Sequence, residues 1–264
     1  SSNLSCSELG QLLPSLKGMN QYLSLSGLIY GTLDDMKGKS LALSIGTNTK
    51  AILDFYVNDL MHPEKMYLFL DLKQSETNFT DISNIRLPNS ANRKYLEFPE
   101  SFYNAGLVKF KGNFSGFLSD FVTFGTLESE MGSLSTDILV TPEKEGEIYY
   151  SGNISTSNFE LGKFFELNNV GKITFSGAAD GTYNNIEKTV SGIFKGNIEE
   201  VDLNQYVYKK IKFDGLLRDK MFDGLLSIND PNLKFAFLGE LDLNSKIPRF
   251  DFDLNLRQAL PSKL

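Results

Sequence analysis

Val108-Lys-Phe-Lys-Gly-Asn-Phe-Ser-Gly-Phe-Leu118 places Val108, Phe110, Gly112, Phe114, Gly116 and Leu118 on one parity, with Lys109, Lys111, Asn113 and Ser115 on the other. Alternate side chains of a strand point to opposite faces, so the run reads as a strand whose apolar face is interrupted by glycines. The same rhythm stands at Leu23, Leu25, Gly27, Ile29, Gly31 and Leu33, and again at Val190, Gly192, Phe194, Gly196 and Ile198. Glycine weakens a strand and marks a bend, a bulge or a close approach, so its repetition on the greasy side predicts a sheet that curves. The glycines are also expected to leave open room on that side. A curved sheet with an apolar concave side either packs on itself or holds an apolar guest.

Outward from these runs the alternation hardly pauses. It covers Leu41 to Ile45, Ala51 to Val57, Met66 to Leu72, Val122 to Leu127, Leu134 to Val140, Ile148 to Ile154 and Lys172 to Ala178. It resumes at Tyr206 to Leu217, Phe222 to Ile228, Leu233 to Leu243 and Phe250 to Leu256. Short Gly, Asn, Asp and Pro turns between such runs predict a hairpin-built antiparallel sheet. Helices are expected at Ser7 to Leu16, capped by Ser7, and at Ser157 to Leu167, capped by Ser157 or Asn158. A third short element is expected at Asn78 to Ile85, and the tail from Gln258 could open another. The segment Leu23 to Leu53 matches Val108 to Leu139 in the order of its strands, glycines and acidic turns, and a repeat of this kind predicts stacked units. Arg86 to Pro99, with two prolines and no clean period, reads as a long loop. The expectation is all-β: an elongated, curled antiparallel β-sheet array, or repeating β-groove, with an apolar concave face and two or three short helices. Its β-groove repeats run over 1–85, 86–156 and 157–264 in one continuous domain, a piece of a longer protein.

Composition narrows the function. The chain has 264 residues, 41% of them hydrophobic, with 21 Phe, 22 Gly and no Trp. Its net charge of −7 offers no basic field for phosphates, so nucleic acid is not an expected partner and adsorption to anionic membrane surfaces is disfavoured. Cys6 stands alone, so an intramolecular disulfide is impossible. No run approaches the apolar length needed to cross a bilayer as a helix.

Motifs with chemistry are weak. Gly38-Lys39-Ser40 resembles the tail of a phosphate-binding loop, but Leu33 stands where that loop needs glycine, so a lysine-bearing hairpin turn is expected. Asp251, Asp253 and Asn255 imitate the opening of a calcium loop, yet Leu256 replaces its glycine and the residues around it alternate like a strand, so these side chains are expected in solvent. His62, the one histidine, precedes Pro63 and reads as a surface turn residue. The carboxylate pairs Asp34/Asp35 and Glu199/Glu200 are sequence neighbours and carry no hydrolase signal. No catalytic residue, metal ligand or cofactor is expected.

The run Phe110-Lys-Gly-Asn-Phe-Ser-Gly-Phe-Leu-Ser-Asp-Phe-Val-Thr-Phe-Gly-Thr-Leu127, followed by Met131-Gly-Ser-Leu-Ser-Thr-Asp-Ile138, resembles the middle periplasmic region of the TamB branch of the AsmA-like family. So do Asn158-Phe-Glu-Leu-Gly-Lys163, Gly171-Lys-Ile-Thr-Phe-Ser-Gly177, Phe222-Asp-Gly-Leu-Leu-Ser-Ile-Asn-Asp-Pro-Asn-Leu233 and Phe237-Leu-Gly-Glu-Leu-Asp-Leu243. The resemblance implies a periplasmic segment of a Gram-negative bridge protein, a β-taco anchored in the inner membrane through parts outside this chain. It implies phospholipid as the ligand, a non-enzymatic role in lipid transport and outer-membrane biogenesis, and a BamA/TamA-type barrel as partner of other parts of the protein. The groove lining expected from parity is Leu25, Ile29, Val108, Phe110, Phe114, Ile173, Phe175, Val190, Phe194, Ile198, Phe213, Leu217, Phe235, Phe237, Leu241, Phe250 and Phe252. Two other readings compete: a chaperone-like scaffold that pairs outer-membrane strands by β-augmentation, and an adhesin-like array with a dry core.

Overall fold

A computed structural model gives the fold and describes residues 2–5, 17–19, 21–62, 64–86, 95–98, 100–144, 146–244 and 247–263. Cys6, the helix expected at Ser7 to Leu16 and most of the loop expected at Arg86 to Pro99 lie outside the described residues. The chain is all-β and divides into two compact units, Ser1–Met131 and Gly132–Leu264, where the sequence reading set three repeats.

In the first unit, β1 (Ser2–Ser5), β2 (Tyr22–Gly31), β3 (Asp35–Ile45), β4 (Thr49–Asn58), β5 (Tyr67–Thr77), β6 (Val108–Gly116) and β7 (Phe121–Ser129) pair antiparallel, each with the next. Between β5 and β6 stand two short helices, α1 (Phe79–Ser83) and α2 (Glu100–Tyr103). Asn78 caps α1 by accepting the Asp81 amide at 2.7 Å, and the Asp81 carboxylate in turn accepts the Asn48 amide at 2.6 Å, which ties the helix to the β3–β4 turn. The expected repeat is visible in the turns. Gly31 and Gly116 both have positive φ, of 112° and 139°, and each leads into a four-residue turn closed by the carbonyl of Asp35 or Asp120. A side chain at either glycine would strike that carbonyl, so the acidic turn and its glycine act as one motif.

In the second unit, β8 (Gly132–Lys144), β9 (Glu147–Phe159), β10 (Val170–Asn184), β11 (Thr189–Leu203), β12 (Tyr206–Arg218), β13 (Met221–Asn229), β14 (Leu233–Asp242) and β15 (Arg249–Ala259) pair in the same consecutive way. The helix expected at Ser157 to Leu167 is corrected: β9 runs on to Phe159 and only Leu161–Phe165 forms a helix, α3. Pairing with β10 supplies hydrogen bonds that a local cap at Ser157 would forgo. The tail forms a single 3-10 turn at Pro261–Lys263.

The strands of neither unit close into a barrel among the described residues, since β1 does not pair with β7 nor β8 with β15. Bulges curl them. On β3, Ser40 is an extra residue between the pairs Gly38–Phe55 and Leu41–Leu53, in the left-handed conformation at φ 50°. On β5, Lys73 is extra between the partners of Ile52 and Leu53. Asp54, on the strand between them, accepts the Ser40 amide at 2.5 Å and the Lys73 ammonium at 2.6 Å, so one carboxylate braces both bulges. The Lys73 hydrogen bond, with that of Ser40, holds the Asp54 carboxyl below the usual carboxylate range despite some desolvation. Gly38-Lys39-Ser40 is therefore a strand bulge, not the hairpin turn expected of it. The second unit repeats the device with an extra Asn158 on β9 and an extra Glu199 on β11. A bulge bends its strand and increases the local twist, which is how a flat ladder becomes a trough.

Candidate functional site

Directly paired residues of an antiparallel sheet share a face, so the register assigns every side chain. Across β9 to β15 one face reads Tyr150–Gly181–Gly192–Leu217–Phe222–Leu241–Phe250 along one row. A second row reads Gly177–Gly196–Phe213–Leu226–Phe237–Leu254, and a third Phe175–Ile198–Ile211–Ile228–Phe235–Leu256. The opposite face carries Lys195 paired to Asp214 at 3.3 Å, Ser191, Asn197, Asp223, Glu240, Asp251 and Asp253. The parity expected for the 190–198 run holds, and the three acidic-loop residues Asp251, Asp253 and Asn255 are exposed on the polar side.

Of the expected lining residues, Ile173, Phe175, Val190, Phe194, Ile198, Phe213, Leu217, Phe235, Phe237, Leu241, Phe250 and Phe252 share this face of the second unit. Leu25, Ile29, Val108, Phe110 and Phe114 share the corresponding face of the first, together with Leu41, Leu43, Leu53, Phe55, Val57, Leu68, Leu70 and Leu72. Val108 is the outlier: it is 3% exposed and offers nothing to a ligand. The sequence reading missed Tyr150, Ile211, Phe222, Leu226, Ile228, Leu254 and Leu256 on this face, although the alternation of Phe222 to Ile228 and of Phe250 to Leu256 carried the signal.

No second layer covers the face in the second unit. Among its described residues only Phe159, Val201 and Ile211 are buried hydrophobics, while Phe250, Phe252, Leu254 and Leu256 of β15 are 60%, 41%, 55% and 58% exposed. Single exposed apolar side chains are ordinary on a protein surface, but a contiguous field of them marks an interaction site. α3 sits at one margin, where Phe164 meets the buried Phe159 at 5.4 Å between ring centroids and Gly162 lies against the Val170 carbonyl.

The glycines on this face do not leave open room, which corrects the expectation from sequence. Phenylalanine rings lie over Gly38, Gly125, Gly177, Gly196 and Gly215, whereas at Gly181, Gly192 and Gly224 a carbonyl of the neighbouring strand stands 2.1 to 2.5 Å from where a Cβ would be. A Cβ on Gly196 would stand 2.5 Å from Phe213 Cζ and 2.8 Å from Phe175 Cε2, and those two rings are nearly parallel, 14° apart with centroids at 6.0 Å. Phe110 covers Gly125, Phe222 covers Gly215, and Phe55 covers Gly38 in the same manner. The glycines thus let the rings lie down and pave the face, as aromatic residues do when they shelter glycine in designed sheets. The ring pairs Tyr150–Phe194, at 6.4 Å, and Phe237–Phe252, at 4.7 Å, extend the paving.

The face is chemically quiet. Its exception is Tyr150, whose hydroxyl is buried without a hydrogen-bond partner; burial pushes its phenol up, and the Asp180 carboxylate adds to that. Among the described residues no group of three or more His, Cys, Asp or Glu is placed to hold a metal, and no helix is long and apolar enough to cross a membrane. His62 lies exposed in the β4–β5 turn against the Asp59 carboxylate. The arrangement can bury hydrocarbon and offers it no charge. No protein-family model, no curated protein and no solved structure matches this chain.

Proposed function

We propose that this chain is a non-enzymatic lipid-holding segment whose ring-paved face carries phospholipid acyl chains, as one span of a TamB-like bridge across the periplasm. The observation that carries the reading is the continuous apolar face of β9 to β15 with no layer over it. Full burial of a methylene is worth about 0.8 kcal/mol, so laying one side of a chain of about 16 carbons on the face yields about 6 kcal/mol per chain. That suffices to hold a lipid and is small enough to let it move on. The inner-membrane anchor and the contact with an outer-membrane barrel belong, in this reading, to parts of the protein outside this chain.

Native mass spectrometry of gently purified protein tests it, using two charge substitutions with opposite expectations. Phe194→Asp puts a carboxylate on the uncovered face, where it stays hydrated while the face is empty, so the variant folds and loses bound phospholipid. Val201→Asp places the charge at a site 4% exposed and unfolds the unit. A parent protein that carries no phospholipid, or a folded Phe194→Asp variant that keeps the parent's complement, refutes the reading.

A further inference from the structure

The opposite face of the first unit holds a cavity of 490 Å³ that the lipid reading does not use. Two cross-strand rows spanning β2 to β5 build it. The first is Ser24–Ser44–Lys50–Glu76, and the second is Ser26–Ala42–Ile52–Gln74, each residue directly paired with the next. With strands about 4.8 Å apart, each row is about 14 Å long.

The polar groups of this hollow are gathered in one place and unpaired within the described part of the protein. Among the described residues, none of the side chains of Ser24, Ser26, Ser44, Lys50, Gln74 and Glu76 has a hydrogen-bond or ion-pair partner, and all six converge on the cavity. On the same face the Asp54 carboxylate is spent, binding the Lys73 ammonium and the Ser40 amide. A concave site with a few convergent, unspent polar groups is the ordinary form of a small-molecule site.

The chemistry of the groups selects the ligand class. Lys50 and Glu76 are register partners and cancel, so a phosphate would meet Glu76 and a cation would meet Lys50. Three hydroxyls and a carboxamide both donate and accept, which matches a ligand whose own groups do both. Ala42 and Ile52 supply an apolar floor for a C–H face, and the Tyr22 ring, 78% exposed, stands two residues before Ser24 on the same side of β2. An acyl chain here would strand six polar groups, each losing water without gaining a partner. We propose that this cavity binds a short neutral saccharide, free or as the glycan of a glycolipid.

The test is saturation-transfer NMR with calorimetric titration, using maltotriose and triacetylchitotriose on the intact chain. At about 10 mM sugar, where even millimolar affinity is visible, at least one trisaccharide is expected to receive transfer. Gln74→Ala and Lys50→Ala should each weaken it about tenfold, the loss of a hydrogen bond or two. Ala42→Phe, at an exposed position, should fill the floor and abolish binding with an unchanged melt. Dodecyl maltoside separates the two sources: a more than tenfold gain over maltotriose that Gln74→Ala removes assigns a glycolipid, and equal affinity assigns the free glycan. No transfer to either trisaccharide overturns the proposal. So does binding that Gln74→Ala and Lys50→Ala leave intact, or glucose 6-phosphate binding more tightly than both neutral sugars. Loss of phospholipid in Phe194→Asp, on the other face of the other unit, leaves this result untouched, so the two readings fail separately.

Discussion

Asp230→Ala is the substitution whose cost is best fixed by the structure. Asp230 follows β13 in the turn Asp230-Pro231-Asn232 and is fully buried, with 0% exposure. Its carboxylate accepts the Tyr206 hydroxyl at 2.5 Å, the Asn232 amide at 2.8 Å and the Lys209 amide at 3.0 Å. The Asn232 side chain donates to the Tyr206 oxygen at 3.0 Å, so the carboxylate joins the start of β12 to the β13–β14 turn, and Gln258 of β15 is tied to that turn separately by donating to the Pro231 carbonyl at 2.6 Å. Truncation leaves three donors without an acceptor. Each buried donor left so costs about 1 to 3 kcal/mol, and with some relief from water at the turn the sum is about 3 to 5 kcal/mol. In a unit with so few buried hydrophobics this is a large part of the total, a drop of about 10 to 20 °C in melting temperature. Thermal and urea melts give the total, and hydrogen exchange at the Lys209 and Asn232 amides localises it. A loss under about 1 kcal/mol, with both amides still protected, would refute the reasoning.

The same carboxylate sets a pH dependence. Burial alone would raise the Asp230 carboxyl, but hydrogen bonds from Tyr206, Asn232, Lys209 and Leu233 outweigh it and hold it below the usual carboxylate range. A folded-state value below the unfolded one means the stabilisation is complete above the unfolded value, near 3.9, and is lost as pH falls through the folded value. The parent should therefore lose stability below about pH 4 more steeply than Asp230→Ala does.

Three further outcomes follow from the geometry. Gly112→Ala should cost more than Gly38→Ala, because the new Cβ at Gly112 strikes the Phe124 carbonyl and Gly125 backbone, whereas at Gly38 it meets only the movable Phe55 ring; paired urea melts decide, and equal costs would count against ring seating. The Asp59 carboxylate holds the His62 imidazole above its ordinary value, so whatever this pair contributes is present below about pH 6.5 and fades as pH rises through the folded value. NMR titration of the His62 ring should move down in Asp59→Asn, and an unmoved curve would sink that assignment. Asp214→Asn breaks an ion pair whose side chains are more than half exposed and should change stability by less than about 1 kcal/mol, with the difference vanishing at high salt.

Strand parity was legible in the sequence because a period of two is a local property: Phe194 and Lys195 point apart whatever the rest of the chain does. The acidic turns after Gly31 and Gly116 were legible for the same reason, since the glycine and the carbonyl it clears lie within one turn. The short element expected at Asn78 to Ile85 was legible too, and the structure adds that Asn78 caps it.

Contacts between strands were not legible, because they depend on register. An even count from Ile198 puts Val201 on the polar side, but the extra Glu199 on β11 flips the parity, and Val201 comes to lie buried on the apolar side. The rings over Gly38 and Gly125 come from residues that only the pairing of β3 with β4 and β6 with β7 brings near. Asp230 reads as one more turn residue until folding places Tyr206 and Lys209, more than twenty positions earlier, against it. The sequence determined by itself that this chain makes strands with an apolar and a polar side. Only the tertiary structure decided which residues meet across them, what fills the space above the glycines, and where the polar side hollows into a cavity, because each of these is set by hydrogen-bonded register and bulges between distant segments.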